Sequence, residues 1–263
     1  KLLYPYHAEA TLDKIPFWVD PNQTTSVGSS ADCFALVSND MVSLTAVNHD
    51  IGAEPTYKVV GSYIRFKVYG KADETVKYII TKGADRTVSG RYFVNGNENK
   101  NTLRSGETDL KGETITLTVD GEYKTTTDAE SAKGLYVSVL PESSQNTYTV
   151  ITDKGFYSFA STSAKDFNFG SIKSLPLNLT KATSYSKTPE HLYIIGGATQ
   201  VGWNAENAIE LDRVPETNQF KVENLPLNAG SGDSGFKFLT TKGSWNKVYV
   251  NGLNDIKTIT YHE

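Results

Sequence analysis

Gly61-Ser-Tyr-Ile-Arg-Phe-Lys-Val-Tyr69 decides the fold class. Ile64, Phe66 and Val68 fall at every second position, and Tyr63, Arg65, Lys67 and Tyr69 fill the positions between. A period of two sorts these residues onto opposite faces of a half-buried strand, where a helical period would mix them. The same pattern continues at 75–81, 88–94, 114–119, 135–140, 148–152, 155–160 and 174–179. Gly, Asn, Asp or Pro separate these runs. Asn95-Gly96, Asp120-Gly121 and Asn251-Gly252 are hairpin-turn dipeptides, because such residues tolerate φ > 0. Short strands so punctuated predict an all-β fold of β-sandwiches. The polar loop 95–101 holds a single carboxylate, Glu98, and reads as a solvated loop rather than an ion site.

Composition narrows the function. The chain has 263 residues and a formal net charge of −4, against the basic face a nucleic-acid binder carries. With 38% hydrophobic and 21% charged residues it is expected to fold, and no apolar run approaches the ~20 residues of a spanning helix. One Cys excludes a disulfide framework and a Cys-based zinc site. Its 15 Tyr, 11 Phe and 21 Gly, with many Thr, suit an all-β surface protein. The first residue is Lys1, so a processed or truncated product is expected.

Four segments are expected. Residues 1–60, interrupted by Pro5, Pro16, Pro21 and Pro55, read as an N-terminal β part that is incomplete as a sandwich. Residues 61–180 form the clearest sandwich, and the polar run 181–189, ending in Pro189, reads as a linker. Residues 190–263 make a small second sandwich, with strands at 192–195, 219–222, 235–239 and 247–250.

Two resemblances follow from ordered motifs. Tyr63-Ile-Arg-Phe-Lys-Val, Val88-Ser-Gly-Arg-Tyr, Ile115-Thr-Leu-Thr-Val-Asp, Gly134-Leu-Tyr-Val-Ser-Val-Leu-Pro141, Ala164-Lys-Asp-Phe-Asn-Phe-Gly-Ser-Ile and Leu175-Pro-Leu-Asn-Leu179 resemble the fimbrillin family of Bacteroidetes pilins and pilus-like lipoproteins. Leu3-Tyr-Pro-Tyr6 and Lys14-Ile-Pro-Phe17 fit its first half. That resemblance implies transthyretin-like sandwiches, secretion as a lipoprotein and a surface or fimbrial role. Its polymerising members use a cleaved N-terminal strand and a donated strand. The lipid anchor would need an N-terminal Cys, and Cys33, preceded by Ser-Ala-Asp, does not resemble a lipobox cysteine.

His191-Leu-Tyr-Ile-Ile-Gly-Gly-Ala-Thr-Gln-Val-Gly-Trp-Asn204, Phe220, Gly235-Phe-Lys-Phe238 and Lys242-Gly-Ser-Trp245 resemble the carbohydrate-binding modules of starch-utilisation outer-membrane lipoproteins (SusE/SusF type). This implies an immunoglobulin-like module that binds sugar. Such modules close with a further strand pair, which the sequence reading does not find before Glu263.

Sugars are held by flat aromatic rings against a pyranose face, with amides and charged groups on the hydroxyls. Trp203 with Asn204, and Trp245 with Asn246, offer two such pairs, and Lys242 and Lys247 add donors. A Trp in such a turn also serves as a hydrophobic plug. Phe236, Phe238, Tyr193 and Ile195 alternate on strands and are expected in the core, and Trp18 is expected as a packed loop residue. Catalysis is not expected. Gly232-Asp-Ser-Gly235 imitates a protease nucleophile stretch without an upstream His context, and the four His residues are scattered with no ligand spacing.

The expectation is a cell-surface, non-catalytic glycan-binding lipoprotein of the outer membrane, with a polysaccharide or host glycan as partner and no cofactor. Its rival is a fimbrial tip or accessory subunit that contacts other fimbrial subunits.

Overall fold

The computed structural model describes residues 3–4, 8–11, 13–27, 36–38, 56–84, 87–95, 112–141, 143–214, 220–228, 235–246, 248–252 and 255–262. The chain forms two compact units, Lys1–Ser186 and Lys187–Glu263, and no α-helix occurs among the described residues. The protein is all-β. Cys33, His7, His49, Gly96, the rest of the polar loop to Asn101, the Gly232–Ser234 stretch and Lys247 lie outside the described residues.

In the first unit the deciding stretch is strand β6 (Ser62–Tyr69), with Ile64, Phe66 and Val68 fully buried on one face. Its partners are distant in sequence: β10 (Leu135–Val139) pairs antiparallel and β15 (Ser171–Asn178) pairs parallel. A second sheet runs in the order β16 (Ser184–Lys187), β13 (Gly155–Ala160), β12 (Asn146–Thr152), β7 (Thr75–Gly83), β9 (Thr114–Lys124), β3 (Asn22–Ser26). Strands β2 (Ile15–Val19) and β8 (Gly90–Val94) pair antiparallel. The pairs β11 (Ser143–Ser144) with β14 (Lys165–Asp166), and β1 (Leu3–Tyr4) with β4 (Leu36–Ser38) and β5 (Tyr57–Val59), complete the unit.

One core joins these layers. Ile64, Phe66, Val137, Ile79, Leu117, Val150, Phe17 and Val94 belong to a single buried cluster. Each such side chain contributes about 1.5–3 kcal/mol relative to exposure. Phe66 of β6 meets Tyr148 of β12 edge-on, at 5.6 Å and 70°, so the two sheets face each other as a sandwich. Tyr123 ties β9 to β6: its hydroxyl donates to the Lys133 carbonyl at 2.8 Å and accepts from the Val68 N–H at 3.2 Å. The side-chain amide of Gln23 accepts from the Ser138 N–H and donates to the Ser138 carbonyl, both at 2.9 Å. That satisfies one residue of strand β10 as a neighbouring strand would.

Where the sandwich turns over at Gly70 and Asp73, a buried carboxylate is enclosed. Glu74 accepts from Tyr157 at 2.7 Å and from Thr152 at 2.8 Å, and Lys71 donates to the Tyr157 hydroxyl at 3.0 Å. Burial, followed by the Glu74 hydrogen bond, holds the Tyr157 phenol well above its ordinary pKa.

Several expectations change. Residues 15–26 do not form a separate sandwich: β2 and β3 pair with β8 and β9, and Ile15, Phe17 and Val19 enter the same core. Among the described residues β2 pairs with β8 alone, the edge-strand setting in which a proline such as Pro16 is tolerated. The expected linker is partly strand, since β16 adds to the edge of the large sheet, and the division falls after Ser186. Asp120-Gly121 is not a hairpin turn. It lies inside β9, where the pairing jumps from Tyr78↔Thr118 to Val76↔Tyr123, and Gly121 takes φ +84° in that irregularity. Trp18 is a strand residue of β2, 44% exposed, lying under Arg91 at 5.3 Å, and not a packed loop residue.

The second unit is an antiparallel sheet in the order β18 (Ile209–Glu210), β17 (Tyr193–Ile195), β21 (Lys237–Leu239), β22 (Val248–Gly252), β23 (Asp255–His262), beside the pair β19 (Asp212–Arg213) and β20 (Phe220–Lys221). Strand β23, which the sequence reading did not place, forms a hairpin with β22, and Asn251-Gly252 lies at its end. A small core of Ile195, Leu239, Ala205 and Ala208, with Tyr193 and Val248 against it, sits on one sheet face. Phe238 lies opposite Ile194, so Phe236 and Phe238 belong to the other face from Tyr193 and Ile195; Phe236 is 48% exposed and not core.

Candidate carbohydrate-binding site

The site is built from two turns of the second unit. The first follows strand β17. Gly196 donates its N–H to the Gly202 carbonyl at 2.8 Å, and Thr199 and Gly202 close the loop through N–H bonds to Gly196 and Thr199 at 2.9 and 3.2 Å. Gly196 takes φ +149°, and a Cβ there would run into the Gly235 carbonyl and the Phe236 backbone, so only glycine fits. Thr199, almost wholly buried, also bonds Gly196 through its hydroxyl at 2.9 Å. The loop delivers Trp203 and then a 3₁₀ turn, Ala205–Asn207, capped by Asn204, whose Oδ1 accepts from the Glu206 N–H at 3.1 Å.

The second turn, 241–246, is fastened to the first. Gly243 donates its N–H to the Ala205 carbonyl at 3.0 Å, Ser244 donates to the Thr241 carbonyl at 3.2 Å, and the Asn246 N–H reaches the Ser244 hydroxyl at 3.3 Å. Gly243 takes φ +76°, and the Glu206 carboxylate packs where its Cβ would stand. These bonds bring Trp203 and Trp245 side by side, with ring centroids 6.3 Å apart and planes 37° from parallel. Both indoles stay open, 36% and 44% exposed.

The expected residues therefore divide. Trp203 and Trp245 come together as one tilted aromatic surface. Lys242 and Asn246 are exposed in the same turn as Trp245. Asn204 adjoins Trp203, with its side-chain oxygen engaged as a cap. A further residue, Lys237 of the Gly235-Phe-Lys-Phe238 motif, joins this surface. Its ammonium stands 5.5 Å from the Trp203 ring centre and 6.0 Å from that of Trp245. The sequence signal for it is its parity with Leu239: cross-strand pairing puts Lys237 opposite Ile195, on the core face.

Among the described residues no group of three or more His, Cys, Asp or Glu side chains is arranged to hold a metal ion. The arrangement can stack on an apolar sugar face and donate hydrogen bonds to its oxygens. No protein-family model and no curated protein matches this chain.

Proposed function

We propose that this protein is a non-catalytic, surface-displayed glycan-binding protein whose second unit holds sugar on Trp203 and Trp245. The observation that carries the reading is the pair of open indoles 6.3 Å apart with one ammonium above both. A soluble protein places its Trp residues under cover or at contact surfaces, and two adjacent exposed ones with a polar donor make a stacking platform. The resemblance of 190–250 to starch-utilisation modules, and of 61–180 to fimbrillins, supports an outer-membrane lipoprotein of a Bacteroidetes-type bacterium. Such a shallow site binds at about 4–6 kcal/mol, millimolar to tens of micromolar.

The test is native electrophoresis of the whole chain through gels holding starch, dextran, xylan or mucin glycans. Retardation in a glycan gel is expected, lost by Trp203→Ala and weakened about tenfold by Trp245→Ala. Unchanged mobility in every gel refutes the reading.

A second reading, a fimbrial tip or accessory subunit, is favoured by the exposed apolar side chains on edge strands: Ile172 on β15, 47% exposed, and Tyr185 on β16, 48% exposed. Concentration-dependent oligomers in analytical ultracentrifugation support it.

A further inference from the structure

We propose that the Trp203–Trp245 surface is built for an acidic sugar, one carrying a carboxylate, and that Lys237 reads the charge; this rests on the glycan-binding reading above. Lys237 occupies a position that the sheet gives to core residues. It faces Ile195 across the strand pair and shares a face with Leu239, both fully buried. It is itself half-buried, and its described interactions are the two indole faces, with no carboxylate or hydrogen-bonding partner among the described residues.

The Lys237 side chain is half-buried while its ammonium lies beside two ring faces, and a ring face offsets only part of the cost of any water an ammonium loses. An apolar side chain would pack the seam between the rings without the penalty. What the charge adds is a partner for an anion lying on the rings. Lys242, exposed in the neighbouring turn, adds positive potential of the same sign. Against them stands the exposed carboxylate of Glu206, packed against Gly243 of that turn, so among these described residues the two lysines outnumber one acid. Attraction to a polyanion cannot come from the protein as a whole, whose net charge is −4. It must be local, within the ~10 Å Debye length at 0.1 M salt. A carboxylate held over the seam would replace bulk water around Lys237 with a charge-assisted hydrogen bond, while the pyranose face covers one or both indoles.

The experiment pairs each acidic glycan with its neutralised form at 0.15 M salt: polygalacturonate with fully methyl-esterified pectin, hyaluronan with its methyl ester, alginate with its propylene glycol ester, and sialylated with desialylated mucin. Starch and dextran are the neutral controls. Retardation of the whole chain is expected to be stronger in at least one acidic gel than in its neutral twin. Lys237→Met should weaken it about ten- to hundredfold, the weight of one hydrogen bond to a charged group. Lys237→Arg should retain it, and Trp203→Ala should abolish it. Binding to neutral glycans that Lys237→Met leaves unchanged overturns this inference and leaves the glycan-binding reading standing. Retention on polyanions that survives both Trp203→Ala and Lys237→Met also overturns it, because the surface at large would then be responsible. Passage through all gels unretarded overturns both.

Discussion

Removing one oxygen atom, in Tyr157→Phe, tests how the first unit holds its edge together. The Tyr157 ring is fully buried and would stay, still 4.6 Å from the Tyr185 ring at a tilt of 32°. Glu74, 7% exposed, would lose the donor at 2.7 Å and keep Thr152 at 2.8 Å. Lys71 would lose its acceptor at 3.0 Å but keep an aromatic ring at both positions below it, at 4.8 and 4.6 Å. A hydrogen bond to a charged group is worth about 1.5–3 kcal/mol, and leaving a buried carboxylate oxygen unpaired sits at the upper end. The lysine, next to exposed Tyr185, can turn to solvent and adds little. The expected loss is therefore about 2–3 kcal/mol. At ~2–4 °C per kcal/mol for a unit of this size, the melting temperature should fall by about 4–12 °C. Urea unfolding of the whole chain, followed by far-ultraviolet circular dichroism, gives the difference directly. A double-mutant cycle with Glu74→Gln should show coupling of about 1 kcal/mol or more, since the two groups touch. A loss below about 0.5 kcal/mol, with no coupling, would mean that water solvates Glu74 as well as Tyr157 does, and the buried-network argument would fail.

Two further outcomes follow from the same physics. Gly196→Ala forces a side chain to φ +149° and against the Gly235 carbonyl, so the second unit should lose about 2 kcal/mol or more, visible as a melting shift of about 10 °C and a changed Trp fluorescence; an unshifted melt would contradict the close approach. Burial raises the phenol pKa of Tyr92, Tyr123, Tyr148 and Tyr157, with Glu74 adding to the shift at Tyr157. The unfolded chain ionises these groups near pH 10 and the folded one does so later, so their contribution is intact below about pH 10 and is lost as pH rises above it. Absorbance at the phenolate band should then show a late tyrosine class ionising together with unfolding, and smooth titration of all tyrosines near pH 10 in folded protein would refute this.

The local pattern was legible where one face is fully buried and the other only partly so, although Tyr63 on the second face of β6 is buried too. The strand at 155–160 was read with its observed bounds, and β6 alternates as its residues demand, because the period-two signal is contained in a few adjacent side chains. Pairing was not legible. β15 lies parallel to β6 although more than a hundred residues separate them, and β3 lies parallel to β9; nothing in either strand names its partner. Asp120-Gly121 shows the same limit, since the positive φ was correctly anticipated while its setting, an irregularity within a strand instead of a turn, depends on the neighbouring β7. At the site, Trp203 and Trp245 were singled out by residue type. That they stand side by side depends on the Gly243 N–H bond to Ala205, a backbone contact without a side-chain signature. Lys237 was passed over because Phe-Lys-Phe reads as a strand with its lysine outward, and only the register with Ile195 reverses that.

The platform and the small core of the second unit are one structure. Ala205 is a core residue, and its carbonyl is also the acceptor that fixes the Trp245 turn. Ala208 packs beside it, and both are small enough for the 3₁₀ turn to lie close against Ile195 and Leu239. The indoles are thus positioned by backbone bonds and compact residues rather than by a disulfide or a long loop, which would lower the entropy lost by the sugar docking proposed above. What preorganisation does not supply is enclosure. Two rings left 36% and 44% exposed cover one side of a ligand at most, so a single contact stays weak and dissociates quickly. A site with those properties is of use where many copies meet a repeating polymer, because each further contact then forms at the high local concentration set by the first. On the proposed glycan-binding reading, display in numbers on a surface is the setting in which this geometry would work.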